Sequence, residues 1–398
     1  MSVYLLLFML LAAGALLEWF RPQYGKKGYL VCWTAVTACL CLRYGQGVDY
    51  VTYHGLYETI PPVIDLSQGY VCGFYPEIGW RLLCAAFKAV HVPFWVFAMI
   101  LGFAEMCLVH RFLQKYVPAK TAGLFMFYPV LFLSYLVSGL RQGLAMCIFL
   151  GVLVPLYLER KWILYILGVL VATSLHKVGY AWLLLPAVSY LPVWLMPVLA
   201  GGAFAGGLLL RLQAVQEFLL SYFPSYHLQQ FLQAGEISYF ACAERLISTT
   251  AILALYWWVA KRDRQTSETE DALLKAYLCG TCFYLLMCGN SYYASRYCAV
   301  FKILECAVLL ILLQKRDTIV NFAAAFFLGL TILMGIKNLN AVIRQAIYYD
   351  PAVVKVWNLP YVSVFQKSKI YQYYPYEEWL EEIYNRNIED QKLWMIQE

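Results

Sequence analysis

Long apolar segments alternate with short polar ones along most of the chain. The first runs from Val3 to Phe20, and about 18 helical residues rising about 1.5 Å each reach roughly 27 Å, enough to cross the hydrocarbon core of a bilayer. Similar segments follow at 29–42, 93–110, 121–137, 140–158, 162–175, 178–191, 193–210, 240–260, 272–288, 297–313 and 318–335. The pattern predicts an all-α polytopic membrane protein with about twelve transmembrane helices, of which 162–175 and 178–191 are short enough to be broken or tilted.

The composition agrees with this prediction. Hydrophobic residues make up 62% of the 398 positions and charged residues 14%, whereas soluble domains are about half apolar and about a quarter charged. The net charge of +6 does not indicate nucleic-acid binding, because the chain carries no nucleic-acid module. Most of the 13 cysteines lie in apolar segments, where we expect them to pack as small hydrophobic residues.

The basic residues predict how the helices are oriented. Lysine and arginine cluster at 21–27, 111–120, 160–161, 261–275 and 315–316, which are alternate connections and therefore cytoplasmic by the bias of basic residues toward that side. Both termini are then predicted to lie outside. We expect a transmembrane domain over 1–336 and a polar extracytoplasmic tail over 337–398.

Nine further basic residues fall at or near the predicted outer ends of helices, where that bias gives no reason for them. An ionisable group at membrane depth costs about 2.5 to 3.5 kcal/mol on insertion scales and usually marks a functional cavity. These residues are Arg43, Arg81, Lys88, Arg141, Lys177, Arg211, Arg245, Arg296 and Lys302.

Two outer segments combine such cations with carboxylates. Residues 43–58 form a glycine-broken, tyrosine-rich loop around Asp49; an interfacial aromatic belt explains its tyrosines but not its charges. In residues 75–90, Pro76 suits the first position of a helix and Glu77 its first turn. Glu77 and Arg81 are four residues apart, which is typical both of a local ion pair and of an active site.

A third outer segment, SGLRQGLAMC at 138–147, predicts a helix with Ser138 as N-cap and Arg141 in the first turn. The helix dipole disfavours a cation there. A guanidinium beside free backbone N–H groups is, however, a strong phosphate site; the alternative is an arginine that reaches lipid headgroups. His176 and Arg296 lie at two more outer helix ends, and a lone histidine beside an apolar face is most often structural.

Six motifs occur in order over nearly the whole chain: LRYGQGVDYVTY, PEIGW, SGLRQGLA, SLHKVGYAWL, SRY and YYPYEEW. The sequence thereby resembles the EpsG family of bacterial exopolysaccharide polymerases, which are related to the Wzy O-antigen polymerases. Val48 before the aspartate and Leu175 before the histidine depart from the family pattern. The family's motif residues fall on Arg43, Asp49, Tyr50, Glu77, Arg141, Gln142, His176, Arg296 and Tyr297.

The resemblance implies a GT-C-like fold and inverting glycosyl transfer at the outer face of the bacterial cytoplasmic membrane. The donor would be a glycan on undecaprenyl pyrophosphate and the acceptor a lipid-linked repeat unit, with a chain-length regulator as a further partner. No D-x-D motif stands at an outer helix end, so we expect no metal and no other cofactor. The expected roles are pyrophosphate binding by Arg43, Arg81, Arg141 and Arg296, general base catalysis by Asp49, Glu77 or His176 with an acid favoured, and substrate binding by Tyr50, Tyr53, Gln142 and Tyr297.

Two other classes of protein remain open. A flippase for lipid-linked oligosaccharides would spread ionisable groups along the whole transmembrane path, whereas here they gather at one side. A membrane O-acyltransferase would place its histidine in a deep channel, whereas His176 is predicted near the outer surface. A ligase that joins the glycan to another lipid or protein is a close variant of the polymerase.

Overall fold

The computed structural model describes residues 1–61, 77–223, 226–233, 235–263, 267–314, 317–346 and 349–397. The helix start predicted at Pro76 and part of the predicted cytoplasmic charge, at Arg264, Lys315 and Arg316, lie outside the described residues. All regular elements of the described chain are helical, and it contains no β-strand apart from an isolated bridge between Arg43 and Ser363. The predicted all-α class is therefore confirmed.

The N-terminal half places a helix on each predicted apolar segment. Its α-helices are α1 (Val3–Phe20), α2 (Gly25–Leu42), α3 (Tyr50–Thr59), α4 (Ile78–Ala89), α5 (Phe94–Tyr116), α6 (Lys120–Phe127), α7 (Leu140–Ile148), α8 (Val154–Leu158), α9 (Trp162–Leu175) and α10 (Leu185–Ser189). The segments Tyr128–Leu136 and Phe149–Leu153 are π-helical, and Lys177–Leu184 is a 3₁₀ helix that leads into α10. The predicted segment 178–191 is thus broken, as its short length indicated.

The C-terminal half has longer helices. They are α11 (Leu195–Leu209), α12 (Gln213–Tyr222), α13 (Tyr226–Gln233), α14 (Tyr239–Asp263), α15 (Glu268–Leu286), α16 (Ser291–Leu312), α17 (Thr318–Gln345) and α18 (Tyr376–Gln397). Helix α17 continues through position 336. The boundary expected between the transmembrane domain and the C-terminal tail, after residue 336, therefore falls inside this helix.

Among the described residues, four helices are long and apolar enough to cross a membrane: α1, α5, the continuous helix Leu140–Leu158 and α17. A fifth arises if α11 and α12, which meet at a bend of 88°, form one span. The chain is therefore a membrane protein by its helices, and the count of about twelve spans stays a prediction. The shorter apolar helices Lys120–Leu136 and Trp162–Leu175 each fall on a predicted span.

Helix Leu140–Leu158 is the centre of the bundle. Within its most apolar stretch 83% of the residues are buried, against 33% for α1 and 28% for α17. The outer helices therefore present apolar faces to their surroundings, whereas the helix that begins beside Arg141 is enclosed by protein. Any ligand of Arg141 must reach it from the end of that helix.

The C-terminal segment folds back onto the loop that carries Asp49. The side-chain amide of Gln46 donates to the carbonyl of Pro360 at 2.8 Å and accepts from the backbone N–H of Val362 at 2.9 Å. Helix α18 packs along α3, and the Tyr376 hydroxyl lies 2.8 Å from Nδ1 of His54. This segment is thus a structural support of the loop.

Candidate functional site

The loop before α3 is held against the start of α7 by a glycine. Gly47 has a φ of +114°, and a Cβ there would lie 2.1 Å from the carbonyl oxygen of Val137. No other residue fits this conformation at such close contact. The next residue, Val48, donates its backbone N–H to the Ser138 hydroxyl at 3.3 Å. Asp49 is thereby fixed next to the beginning of α7.

This contact corrects the predicted cap of α7. The N-cap is Gly139 and not Ser138, because the Ser138 hydroxyl is used by the incoming loop. Helix α7 begins at Leu140, so Arg141 does lie in the first turn, as predicted. It is also buried, with 9% of the residue exposed.

Glu77 reaches Arg141 from a different helix. It is the N-cap of α4 and not, as predicted, a residue of the first turn, and its Oε2 lies 2.6 Å from Nη1 of Arg141. Of the two interpretations of the Glu77–Arg81 spacing, the structure does not show the local ion pair among the described residues. Glu77 has an extended backbone, so it does not share a helical face with the residue four positions later. Arg81 itself is buried inside α4.

A second close approach brings α4 to the end of α9. A Cβ at Gly79 would lie 2.2 Å from the Ser174 hydroxyl, so only glycine lets the two helices come this close. Ser174 is two residues before His176, which ends α9 and caps the following 3₁₀ helix. Glu77 and His176 are thereby brought to the same region.

His176 is a neutral imidazole in this setting. Its Nδ1 accepts the backbone N–H of Val178 at 3.3 Å. Burial and the positive charges of Arg141 and Arg296 lower the pKa of His176 to about 3. With Nδ1 acting as acceptor, the proton of the neutral ring sits on Nε2, so the ring offers a hydrogen-bond donor and not a base.

Arg296 completes the group from α16. Its backbone carbonyl accepts a hydrogen bond from the Gln142 side chain at 2.9 Å, which ties α16 to α7. Its guanidinium lies 4.0 Å from the ring centre of Tyr292 and makes no salt bridge among the described residues. The neighbouring Tyr297 is half-buried.

Asp49 lies in the field of both guanidinium groups. Burial raises the pKa of its carboxyl above the ordinary value, and the charges of Arg296 and Arg141 oppose that shift. The structure thus brings together five predicted residues from five parts of the chain. We call Asp49, Glu77, Arg141, His176 and Arg296 the outer cluster.

Tyr53 borders the outer cluster, whereas Tyr50 does not. The Arg141 guanidinium lies 5.8 Å from the ring centre of Tyr53. The ring of Tyr50 is 1% exposed and packs edge-on against Phe94, 5.2 Å between ring centres. Tyr50, expected to bind substrate, therefore supports the loop in this structure.

Arg43, expected to bind pyrophosphate, is also placed apart from the outer cluster. Its Nη1 donates to the carbonyl of Leu40 at 2.8 Å and its Nη2 to that of Leu136 at 3.0 Å. It is the C-cap of α2, a position at which a cation stabilises free carbonyl groups. With 2% exposure, Arg43 joins α2 to the π-helical segment before α7.

A second group of ionisable residues lies between α14, α15 and α16, of which the sequence pointed to Arg245 and Lys302 but not to their partners. The Lys302 ammonium lies 2.7 Å from Oε1 of Glu244 and also contacts Glu305. The Tyr277 hydroxyl donates to Glu305 at 2.9 Å, and Arg245 lies 3.8 Å from Glu244. The signal available in the sequence was the presence of Glu244 and Glu305 inside the apolar segments 240–260 and 297–313. We call these five residues the buried network.

No metal centre is evident in the described ranges, where no group of three or more histidine, cysteine or acidic side chains is arranged to hold an ion. Cys279 and Cys282, the C-x-x-C pair, are free thiols on α15.

The family model described as the EpsG family matches residues 29–350, a range that includes every member of the outer cluster. No curated protein and no solved structure matches the chain.

Proposed function

The chain belongs to the EpsG family, and from this premise we propose that it polymerises lipid-linked repeat units into exopolysaccharide at the outer face of the bacterial cytoplasmic membrane. The donor is a glycan on undecaprenyl pyrophosphate. The observation that carries the proposal is the outer cluster, in which Asp49 lies beside two guanidinium groups at the ends of enclosed helices.

The reaction forms one bond and breaks one. The acceptor hydroxyl oxygen attacks the anomeric carbon of the donor sugar from the face opposite the pyrophosphate, which leaves with the electron pair of the broken C–O bond. The hydroxyl proton passes to a carboxylate. Arg141 and Arg296 stabilise the charge that develops on the leaving pyrophosphate, without a metal ion.

Asp49 is the base that fits best. Its raised pKa improves it as a proton acceptor. Glu77 is engaged by Arg141 at 2.6 Å and so positions that guanidinium. The neutral ring of His176 presents its N–H, which suits a hydrogen bond to a sugar or phosphate oxygen.

One observation favours a second function, the flippase. Ionisable side chains do not stop at the outer helix ends, because Lys302 lies about 16 Å along α16 at about 1.5 Å per residue. Glu105, in the middle of α5, is fully buried as well. Charged groups along the transmembrane path are what a lipid-linked oligosaccharide carrier requires.

Purified protein incubated with a synthetic lipid-linked repeat unit tests the proposal. A polymerase produces a ladder of lengthened products, and Asp49→Asn abolishes the ladder. A flippase moves the unit across a vesicle bilayer without lengthening it, and that result would contradict our proposal.

A further inference from the structure

Arg211 is one of the basic residues at outer helix ends that the outer cluster does not use. Of the nine cations noted in the sequence, five have carboxylate or carbonyl partners: Arg43, Lys88, Arg141, Arg245 and Lys302. The side chain of Arg211 makes no salt bridge or hydrogen bond within the described part of the chain, and the residue is exposed. It lies between α11 and α12, where the chain turns through 88°.

Arg211 borders a polar cavity of about 260 Å³. The other polar side chain that lines this cavity is Gln216. The rest of the lining is formed by three glycines and four apolar residues: Gly207, Gly235, Gly289, Leu210, Phe231, Leu232 and Leu286. Whole-ligand pockets span about 300 to 1,000 Å³. This cavity therefore suits a headgroup such as a diphosphate, with the remainder of the ligand outside.

The cavity is built by contacts that do not need a ligand. The Gln216 amide donates to the carbonyls of Leu210 at 3.0 Å and Leu232 at 3.2 Å, which fixes the bend against α13. A Cβ at Gly289 would lie 3.4 Å from Cγ of Arg211. The space is thus preformed, with the arginine at its edge.

The surroundings place the cavity at headgroup depth. Helix α12 has no buried residue, and its Phe218 and Tyr222 are 61% and 68% exposed. An amphipathic helix that leaves a membrane helix at a right angle and exposes aromatic side chains is typical of the membrane interface. Lipid phosphate groups lie at that level.

The cavity is also adjacent to the outer cluster. Gly289 immediately precedes Asn290, the N-cap of α16, and Asn290 donates to the carbonyl of Phe231 at 3.2 Å. Arg296 follows the first residue of α16 by about 7.5 Å along the helix axis, at about 1.5 Å per residue. The exposed Arg211 and the half-buried Arg296 therefore lie on either side of the beginning of α16.

We infer that this cavity binds the diphosphate of a second prenyl-linked sugar, the acceptor, with Arg211 as its phosphate ligand. The inference rests on the proposed function, because only a reaction between two lipid-linked substrates needs two separate diphosphate sites on one face. Arg296 and Arg141 then hold the donor, and the acceptor approaches from the side of α12.

Photo-labelling of the full-length protein tests the inference without requiring turnover. The probe is a prenyl-pyrophosphate-linked monosaccharide with a diazirine near the diphosphate, applied to Asp49→Asn protein in detergent. We expect label on 210–216 or 286–289, and a loss of about tenfold or more in Arg211→Ala, since a charge-assisted contact is removed. Gly289→Ala, which intrudes on the cavity but keeps the charge, should also reduce the label. Arg160→Ala, at an arginine whose side chain is 64% exposed, is the matched control.

Competition identifies the chemistry. Unlabelled prenyl-pyrophosphate sugar should displace the probe, and phosphatidylglycerol micelles should not. Equal competition by phosphatidylglycerol would make the cavity a general lipid-headgroup site and overturn the inference, as would unchanged labelling of Arg211→Ala. Polymer assays run in parallel separate the two proposals: specific labelling without any ladder from the wild type contradicts polymerisation alone, and a ladder without labelling contradicts the acceptor site alone.

Discussion

The outer cluster and the buried network both place basic side chains beside carboxylates, yet they differ in how their charges are balanced. In the buried network, Lys302 contacts two glutamates and is 4% exposed in its side chain. In the outer cluster, Arg296 and Asp49 are half-buried, and Arg296 makes no described salt bridge. An arrangement whose cations are already neutralised stabilises a fold, whereas one with an available cation can bind an anion. The following predictions test this difference.

The largest effect is expected at Asp49. Asp49→Asn keeps the shape but cannot accept a proton, so turnover should fall by about 10² to 10⁴ while donor binding survives. Because burial raises the pKa of Asp49, wild-type activity should decline as the pH falls through that raised value. Initial rates of polymer formation against pH measure both effects. Near-normal turnover in Asp49→Asn would remove the residue from the chemistry.

Lys302 gives the matching experiment on the buried network. Lys302→Met leaves buried Glu305 without its cation and Glu244 with Arg245 alone, at 3.8 Å, and breaking a buried pair costs about 3 to 5 kcal/mol. We expect a lower thermal midpoint in detergent, with turnover per folded molecule within about twofold of wild type. Replacing Glu305 by glutamine in the same protein, which keeps Glu244 for Arg245, should restore much of the stability. A stable Lys302→Met protein that is inactive would show that the network takes part in the function and would support the carrier.

Arg141→Lys tests whether geometry or charge matters in the outer cluster. A lysine is a point charge and lacks the planar fork that binds two phosphate oxygens. Turnover should fall by about 10² to 10³, as it does when one oxyanion donor is lost. The Michaelis constant should change by a smaller factor than turnover does. Arg160→Lys is the control. If Arg141→Lys polymerises at the wild-type rate, Arg141 does not bind the pyrophosphate and is instead an arginine that reaches lipid headgroups.

Hydropathy predicted most helices, because an apolar segment that crosses a bilayer must satisfy its backbone hydrogen bonds internally, which a helix does. It also predicted that Arg141 lies in the first turn of its helix. The partner of Arg141 could not be predicted, since it depends on how closely α4 approaches α9 at Gly79 and Ser174. Likewise Arg43 was assigned to phosphate binding because sequence does not distinguish a cation that caps its own helix from one that faces a cavity.

The smallest expected effect concerns His176 and acid. Burial and neighbouring cations lower the pKa of His176 from 6.5 to about 3. Between these values the unfolded chain binds the proton and the folded chain does not, so stability falls as the pH drops below 6.5. At pH 5.5, one unit below the unfolded value, the contribution is about 1.4 kcal/mol, since one pH unit corresponds to about 1.4 kcal/mol. The thermal midpoint of His176→Gln should therefore change less between pH 7.5 and 5.5 than that of wild type. His91→Asn, at an exposed histidine with a φ of 55° that asparagine tolerates, is the control. An equal pH response in His176→Gln and wild type would mean that the ring is protonated in the fold, and the histidine would then be a third cation of the outer cluster.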